Sequence, residues 1–260
     1  MEVALSAWFL VILGVVSGAA AGFFGIGGGV IIVPVLLLCG VDMESAIGIS
    51  IMQMIFSSSV GSMINIYHKK LDVRDGVFVG LGGLMGAAFS GVIVASLSSF
   101  TLLLAFLLLS LVSFYKYVFD VKTNANPTPP ITDSVRQKAV MILAGLVTGI
   151  FAVSLGVGGG LILAPILAYY LGFNSKKVVP ISLFFIIFAS ISGSISLGSH
   201  GLIDFHSGLI VGLSSSVGVG LGIYLISKVT LSNHRYALIG IYAFSILLTL
   251  WKVFENLGLV

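Results

Sequence analysis

The chain has 260 residues, of which 58% are hydrophobic and 8% charged, and its mean hydropathy is +1.20. Soluble domains carry about 25% charged residues, so this composition excludes a water-soluble globule. Several apolar runs of roughly 20 residues follow one another without period-two alternation, which predicts an all-α polytopic membrane protein and excludes a β-barrel. The net charge of +3 is explained by basic cytoplasmic loops, so we expect no nucleic-acid partner.

Five helical segments are predicted in each half of the chain. The apolar run 5–40 is too long for one span and must be broken at its glycines. The segments of the first half are a (5–24), b (28–40), c (46–66, capped by Asp42 or Ser45), d (76–96) and e (100–119). Those of the second half are a′ and b′ (within 139–171), c′ (178–198), d′ (207–227) and e′ (236–254). Residues 120–138 are polar and rich in proline, which predicts a linker.

A glycine motif marks the break between helices a and b and returns in the second half. The first copy, GFFGIGGGVIIVP, covers residues 22–34, and the second, SLGVGGGLILAP, covers residues 154–165. The glycines of the two copies are separated by 131 positions: Gly25, Gly27, Gly28 and Gly29 correspond to Gly156, Gly158, Gly159 and Gly160. Two glycine-broken apolar segments at matching places in two halves are typical of a transporter substrate site.

The correspondence continues beyond the motif when one residue is inserted near Lys177. With the offset of 132, Ser50 aligns with Ser182, His68 with His200, and Asp72 with Asp204. Gln53 aligns with an aromatic residue, Phe185. These matches predict two transmembrane repeats, 1–119 and 139–260, joined by a cytoplasmic linker at 120–138.

The basic residues predict how the repeats are oriented. With five segments per half, every Lys and Arg except Lys252 lies on the cytoplasmic side. If a and b formed one crossing, Lys176, Lys177, Lys228 and Arg235 would move outside, which fits the rule less well. An odd number of segments makes the repeats inverted and places both termini outside. Because b and b′ either span the membrane or re-enter it, we expect 8–10 transmembrane segments.

The glycine clusters are predicted to form a site for a small anion. Helices b and b′ begin at the clusters, and the first N–H groups of a helix lack internal partners and carry partial positive charge. In inverted repeats the two helix N-termini meet near the midplane of the membrane, where bare N–H groups can bind an anion without a buried Lys or Arg. The alternative is that the glycines only permit close helix crossing. The candidate glycines are Gly25, Gly27, Gly28, Gly29, Gly156, Gly158, Gly159 and Gly160.

Polar side chains of helix c are the other candidate substrate contacts. Ser50, Gln53 and Ser57 recur at helical spacing and share one face, and Ser182 is the counterpart of Ser50 in c′. Substrate binding and hydrogen bonding between helices are both consistent with the serines, whereas Gln53 favours substrate. His68, His200 and His206 lie in turns, where solvation is expected more than proton transfer.

Enzymatic chemistry is not expected. The glycine run does not match G-x-G-x-x-G, since Val30 and Leu161 stand at the last position. No G-x-S-x-G elbow and no metal-ligand spacing is present, and Cys39 is the only cysteine. We therefore expect no metal and no cofactor. A coupling proton or cation and the oligomeric state stay open.

The doubled motifs GIGGGVIIVP and GVGGGLILAP resemble those of the TauE/SafE permeases, the sulfite exporter family, over nearly the whole chain. The resemblance implies an inner-membrane carrier of a bacterium or archaeon that exports sulfite, sulfoacetate or a related sulfur-containing anion. Our leading hypothesis is a secondary transporter that works by alternating access. The alternatives are a passive anion channel, a permease for another small organic anion, and a non-transporting membrane subunit.

Overall fold

The structure is a computed structural model that describes residues 5–71, 73–119, 134–160, 162–163, 166–167 and 175–258. All regular structure within these ranges is helical, which confirms the all-α prediction. The helices in the first half are α1 (Ala7–Phe24), α2 (Gly29–Leu38), α3 (Met43–Tyr67), α4 (Val73–Ala87), α5 (Ser90–Ser96) and α6 (Ser99–Phe119). Those in the second half are α7 (Ser134–Thr148, continued by a π-helical turn Gly149–Val153), α8 (Ser175–Gly198), α9 (Phe205–Lys228) and α10 (Leu231–Asn256).

Eight helical stretches of the described ranges are long and apolar enough to cross a membrane. Helix α2, the predicted helix b, is shorter and has ten residues. Its counterpart b′ is described only at residues 160, 162–163 and 166–167, which are helical. The prediction of a polytopic helical membrane protein is therefore confirmed.

Side-chain caps set the starts of several helices. The Asp42 carboxylate accepts the N–H of Ser45 at 2.8 Å, so α3 begins at Met43, three residues before the predicted start of helix c. The Thr230 hydroxyl accepts the N–H of Asn233 at 3.3 Å, and α10 begins at Leu231. The predicted start of e′ at residue 236 is therefore wrong by five residues, because this cap starts the helix early. Asp72 and residues 120–133 of the predicted linker lie outside the described residues, and residues 134–138 of that linker are helical, in the first turns of α7.

The predicted helix d is divided into α4 and α5 at Ala88 and Phe89. Two serines of α8 take up the backbone groups at this point. Ser196 donates to the Ala88 carbonyl at 2.7 Å and accepts the Gly91 N–H at 2.9 Å, while Ser192 donates to the Leu84 carbonyl at 2.7 Å. Partners from the other half of the chain thus replace hydrogen bonds that a continuous helix would make.

The first helix of each half packs against a helix of the other half. Helix α1 lies against α9, where a Cβ on Gly18 would overlap the Ser215 carbonyl oxygen. Helix α7 lies against α4, where a Cβ on Gly149 would lie 2.7 Å from the Gly83 carbonyl oxygen. In the predicted repeats Gly18 corresponds to Gly149 at the offset of 131, and Gly83 to Ser215 at the offset of 132. Small residues let these backbones approach closely, as is usual between helices in lipid.

Helices that are counterparts of each other run antiparallel where they meet. In α3 and α8, a Cβ on Gly61 would lie 3.1 Å from Leu183, and one on Gly193 would lie 3.8 Å from Ile51. Late residues of one helix therefore contact early residues of its counterpart. Helices α6 and α10 meet in the same sense, because Tyr117 near the end of α6 stacks on Tyr242 in the first half of α10 at 5.8 Å between ring centroids.

Candidate functional site

Each predicted break begins at a glycine in the left-handed conformation. Gly25 has φ of 68° and its N–H bonds the Ala21 carbonyl at 2.8 Å, which ends α1. Gly156 has φ of 64° and follows the π-helical turn. A residue with a Cβ is disfavoured at this φ, so glycine is what allows the chain to leave the helix here.

The two breaks cross each other in the interior. A Cβ on Gly27 would lie 3.2 Å from the Cα of Gly158, so the chains touch backbone to backbone at this point. A Cβ on Gly29 would overlap the Gly156 carbonyl oxygen, and one on Gly160 would overlap the Gly25 carbonyl oxygen. All these glycines are buried. We call residues 25–29 and 156–160 together the glycine crossing.

Two serines fasten the glycine crossing from the flanking helices. The Ser50 hydroxyl of α3 donates to the Gly156 carbonyl at 2.7 Å, and the Ser182 hydroxyl of α8 donates to the Gly25 carbonyl at 2.6 Å. Both hydroxyls are fully buried. Each bond joins the two halves of the chain, so the serines hold the break of the opposite repeat in place.

We expect Ser50→Ala and Ser182→Ala each to destabilise the folded protein by about 1–3 kcal/mol, because each leaves a buried carbonyl without its donor. Thermal unfolding of the detergent-solubilised variants measures this. Ser57→Ala is the control, since the Ser57 hydroxyl is also buried but bonds the Met54 carbonyl of its own helix at 3.5 Å. Equal losses in all three variants would contradict the assignment.

The N-terminus of α2 lies against an amide side chain that has no partner. A Cβ on Gly28 would lie 2.6 Å from Oε1 and 2.8 Å from Nε2 of Gln53. Gln53 is fully buried, and neither polar atom of its side chain has a hydrogen-bond partner within the described residues. A buried polar group without a partner costs about 1–3 kcal/mol, so this amide has two groups free to hydrogen-bond a molecule that enters here.

Backbone donors at the start of α2 lie beside this amide. Gly28 is the N-cap of α2 and no side chain caps the helix. The first hydrogen bonds of the helix run from the N–H groups of Ile31 and Ile32 to the Gly28 carbonyl, both at 3.1 Å. The N–H groups of Gly29 and Val30 precede these bonds, at the end of the helix dipole that favours negative charge. Together with the Gln53 amide, they form a donor set suited to a small oxyanion.

The second half offers an apolar surface at the equivalent place. A Cβ on Gly159 would overlap the ring of Phe185, which stands where the first repeat has Gln53. Phe185 is fully buried. The centre of the glycine crossing is therefore polar beside α2 and aromatic beside the second glycine cluster.

The structure brings together most of the sequence-predicted site residues. The glycines of both clusters, Ser50, Gln53 and Ser182 all meet at the glycine crossing. Ser57 lies one helical turn beyond Gln53, and its hydroxyl bonds its own helix. His68, His200 and His206 are exposed. Among the described residues, no group of three or more His, Cys, Asp and Glu is placed to hold a metal ion.

His234 was not among the predicted residues, although it contacts the end of α1. Its Nε2 lies 3.0 Å from the Phe23 carbonyl oxygen, and its ring packs against Phe23 and Phe24 at centroid distances of 5.2 and 5.6 Å. The next residue, Arg235, donates from Nε and Nη2 to the last carbonyls of α6, including that of Tyr117 at 2.8 Å. The repeat counterparts are leucines, so the internal repeat gave no signal for either residue.

A bundle of membrane-spanning helices with broken helices meeting at a buried polar point is the architecture of a membrane transporter. The chain belongs to the sulfite exporter TauE/SafE family, whose model matches residues 10–249. Among curated proteins, it is 25% identical over 244 residues to the probable membrane transporter protein MJ0441 of Methanocaldococcus jannaschii, covering 88% of this chain and 90% of the relative. It is 28% identical over 209 residues to the probable membrane transporter protein YunE of Bacillus subtilis, covering 72% and 76%. No solved structure is significantly similar to the chain.

Proposed function

We propose that the protein is a secondary transporter that exports a small sulfur-containing anion, such as sulfite or an organosulfonate, by alternating access. The observation that carries the proposal is the buried, unpartnered Gln53 amide against the uncapped N-terminus of α2. The oxygens of a sulfite or sulfonate group accept hydrogen bonds and carry negative charge. The N–H groups of Gly29 and Val30 and the Nε2 of Gln53 supply the donors.

The aromatic side of the glycine crossing supports an organic substrate as well as an inorganic one. Phe185 offers an apolar surface opposite Gln53. The sulfonate group of an organosulfonate would lie toward Gln53, and its carbon chain would lie toward Phe185. Contact between the carbon chain and the Phe185 ring buries no polar group without a hydrogen-bond partner. The family description names sulfite, and both substrates share the same anionic head.

The closed state of the glycine crossing supports alternating access. The contact of Gly27 with Gly158 leaves no room for a ligand to pass between the breaks. We infer that the two halves separate on one side at a time, with the hydrogen bonds of Ser50 and Ser182 as contacts that open. A carrier of this kind saturates with substrate.

We further propose that repeats 1–119 and 139–260 are inverted in the inner membrane, with a cytoplasmic linker at 120–138 and both termini outside. The antiparallel contacts between α3 and α8 and between α6 and α10 support the inverted relation of the repeats, because antiparallel spanning helices are related by a twofold axis that lies in the membrane plane. Reporter fusions after residues 125 and 260 should report opposite sides of the membrane. Reporters on one side would overturn the topology.

Flux through the purified protein in liposomes tests the function. We expect saturable transport of at least one of sulfite and sulfoacetate, and its loss in the double variant Gly28→Leu, Gly159→Leu. Gly240→Ala is the control, because a Cβ at Gly240 meets nothing within 4 Å. Flux that survives the double variant would remove the site. Flux that never saturates would favour the passive anion channel instead.

A further inference from the structure

The interface of α6 and α10 contains a row of six hydroxyl side chains away from the glycine crossing, all buried except the half-buried Tyr117. We call it the hydroxyl seam, and its residues are Ser110, Ser113, Tyr117, Tyr242, Ser245 and Thr249. The three positions on α6 correspond to the three on α10 at the repeat offset of 132. On each helix they recur at the spacing i, i+3, i+7, which places them on one face. The stacked rings of Tyr117 and Tyr242 show that these faces meet.

Three of these hydroxyls have no partner in the described part of the chain. They belong to Ser110, Tyr242 and Ser245, and all three side chains are fully buried. Two other hydroxyls of the seam bond carbonyls of their own helices. Ser113 donates to the Leu109 carbonyl at 2.9 Å, and Thr249 donates to the Ser245 carbonyl at 2.7 Å. Buried hydroxyl groups are nearly always satisfied by protein or by ordered water.

A cavity of about 370 Å³ lies at one end of this interface. Its lining includes Ser99 and Leu103 from the first turns of α6 and Lys252 and Asn256 from the last turns of α10. Ser110 lies two helical turns, about 10 Å, below Leu103, and Thr249 lies about 4.5 Å below Lys252. The cavity therefore lies at the Thr249 end of the hydroxyl seam, and on α6 the buried Phe106 and Leu107 lie between it and Ser110.

We propose that the hydroxyl seam is a hydrated cleft that continues this cavity into the depth of the membrane and binds ordered water through Ser110, Ser245 and Tyr242. Hydroxyl groups serve both as donors and as acceptors, which suits a chain of water molecules. The cleft lies between α6 and α10, the predicted helices e and e′. The glycine crossing lies between α2, α3 and α8. The protein thus has a second polar region that does not depend on the proposed substrate site.

Thiol reactivity tests the cleft, because only a thiolate formed in water reacts with methyl methanethiosulfonate. In a Cys39→Ser background the chain has no other cysteine. Ser245→Cys is the first variant and Ser110→Cys is the second, in case one of them fails to fold. Ser215→Cys is the matched control, since Ser215 is equally buried and packs against Gly18, and its hydroxyl is bonded to the Gly212 carbonyl at 2.6 Å and to the Gln53 carbonyl at 3.5 Å.

Modification is followed by intact mass in the folded protein and again after unfolding in detergent. We expect the thiols at positions 245 and 110 to react at least about tenfold faster than the thiol at position 215 in the folded state. The reason is that a thiol in contact with water can lose its proton and form the reactive thiolate. All three should react alike once unfolded. Folded-state rates at 245 and 110 no higher than at 215 would overturn the proposal and would leave a dry helix contact.

Discussion

Gly29→Ala is expected to lower the melting temperature of the detergent-solubilised protein by about 5–10 °C, equivalent to about 2–4 kcal/mol. A Cβ at this position would overlap the Gly156 carbonyl oxygen, which belongs to the backbone and is already fixed by the Ser50 hydroxyl. Neither side can yield without separating the two breaks. Gly160→Ala should cost a similar amount, because the same overlap occurs there with the Gly25 carbonyl oxygen.

Gly240→Ala is the control for these stability measurements. It lies in the middle of α10 with open space around its Cβ position. Alanine in a helix interior is favoured over glycine by about 0.5–1 kcal/mol, so this variant should be unchanged or slightly more stable. If Gly29→Ala and Gly240→Ala melted at the same temperature, the breaks would not be packed against each other as described.

Gln53→Met should weaken substrate binding by about 10- to 100-fold, the equivalent of one hydrogen bond to a charged group. The variant should nevertheless fold at least as stably as the parent. Methionine has a similar length, and the change removes two buried polar atoms that have no partner within the described residues. A loss of affinity without a loss of stability distinguishes a ligand-binding residue from a structural one.

The matched variant is Phe185→Leu, at the repeat counterpart of Gln53. The Phe185 ring fills the space against Gly159, so its truncation should lower stability while the donors at α2 remain in place. Affinity for an inorganic anion should then change little compared with Gln53→Met. If Gln53→Met bound the anion with unchanged affinity while Phe185→Leu bound it more weakly, the substrate would lie beside Phe185. That result would contradict the role of Gln53.

The sequence contained enough information to predict the break in each apolar run. Glycine spacing repeated at 131 positions marks both breaks, because glycine is favoured by the left-handed backbone at Gly25 and Gly156 and by the close crossing at Gly27 and Gly158. The polar face of helix c was likewise visible from spacing alone. Its members Ser50 and Gln53 do reach the glycine crossing.

What the sequence could not predict depends on partners far away in the chain. The hydroxyl of Ser50 bonds Gly156, and that of Ser196 bonds the interrupted backbone at Ala88, and neither pairing follows from local propensity. The place of His234 beside Phe23 is similarly set by how α10 packs on α1. The hydroxyl seam was detectable, because extending the offset of 132 through helix e pairs Ser113 with Ser245.

Titration of the purified protein with sulfite, sulfate, sulfoacetate and taurine tests the central claim most directly, when wild type, Gly28→Leu and Gly240→Ala are compared by calorimetry. The leucine at position 28 would displace the Gln53 amide and cover the N-terminus of α2. We predict saturable binding of at least one sulfur-containing anion to wild type and Gly240→Ala, and no detectable binding to Gly28→Leu. Equal affinity in Gly28→Leu and wild type would contradict an anion site at the glycine crossing.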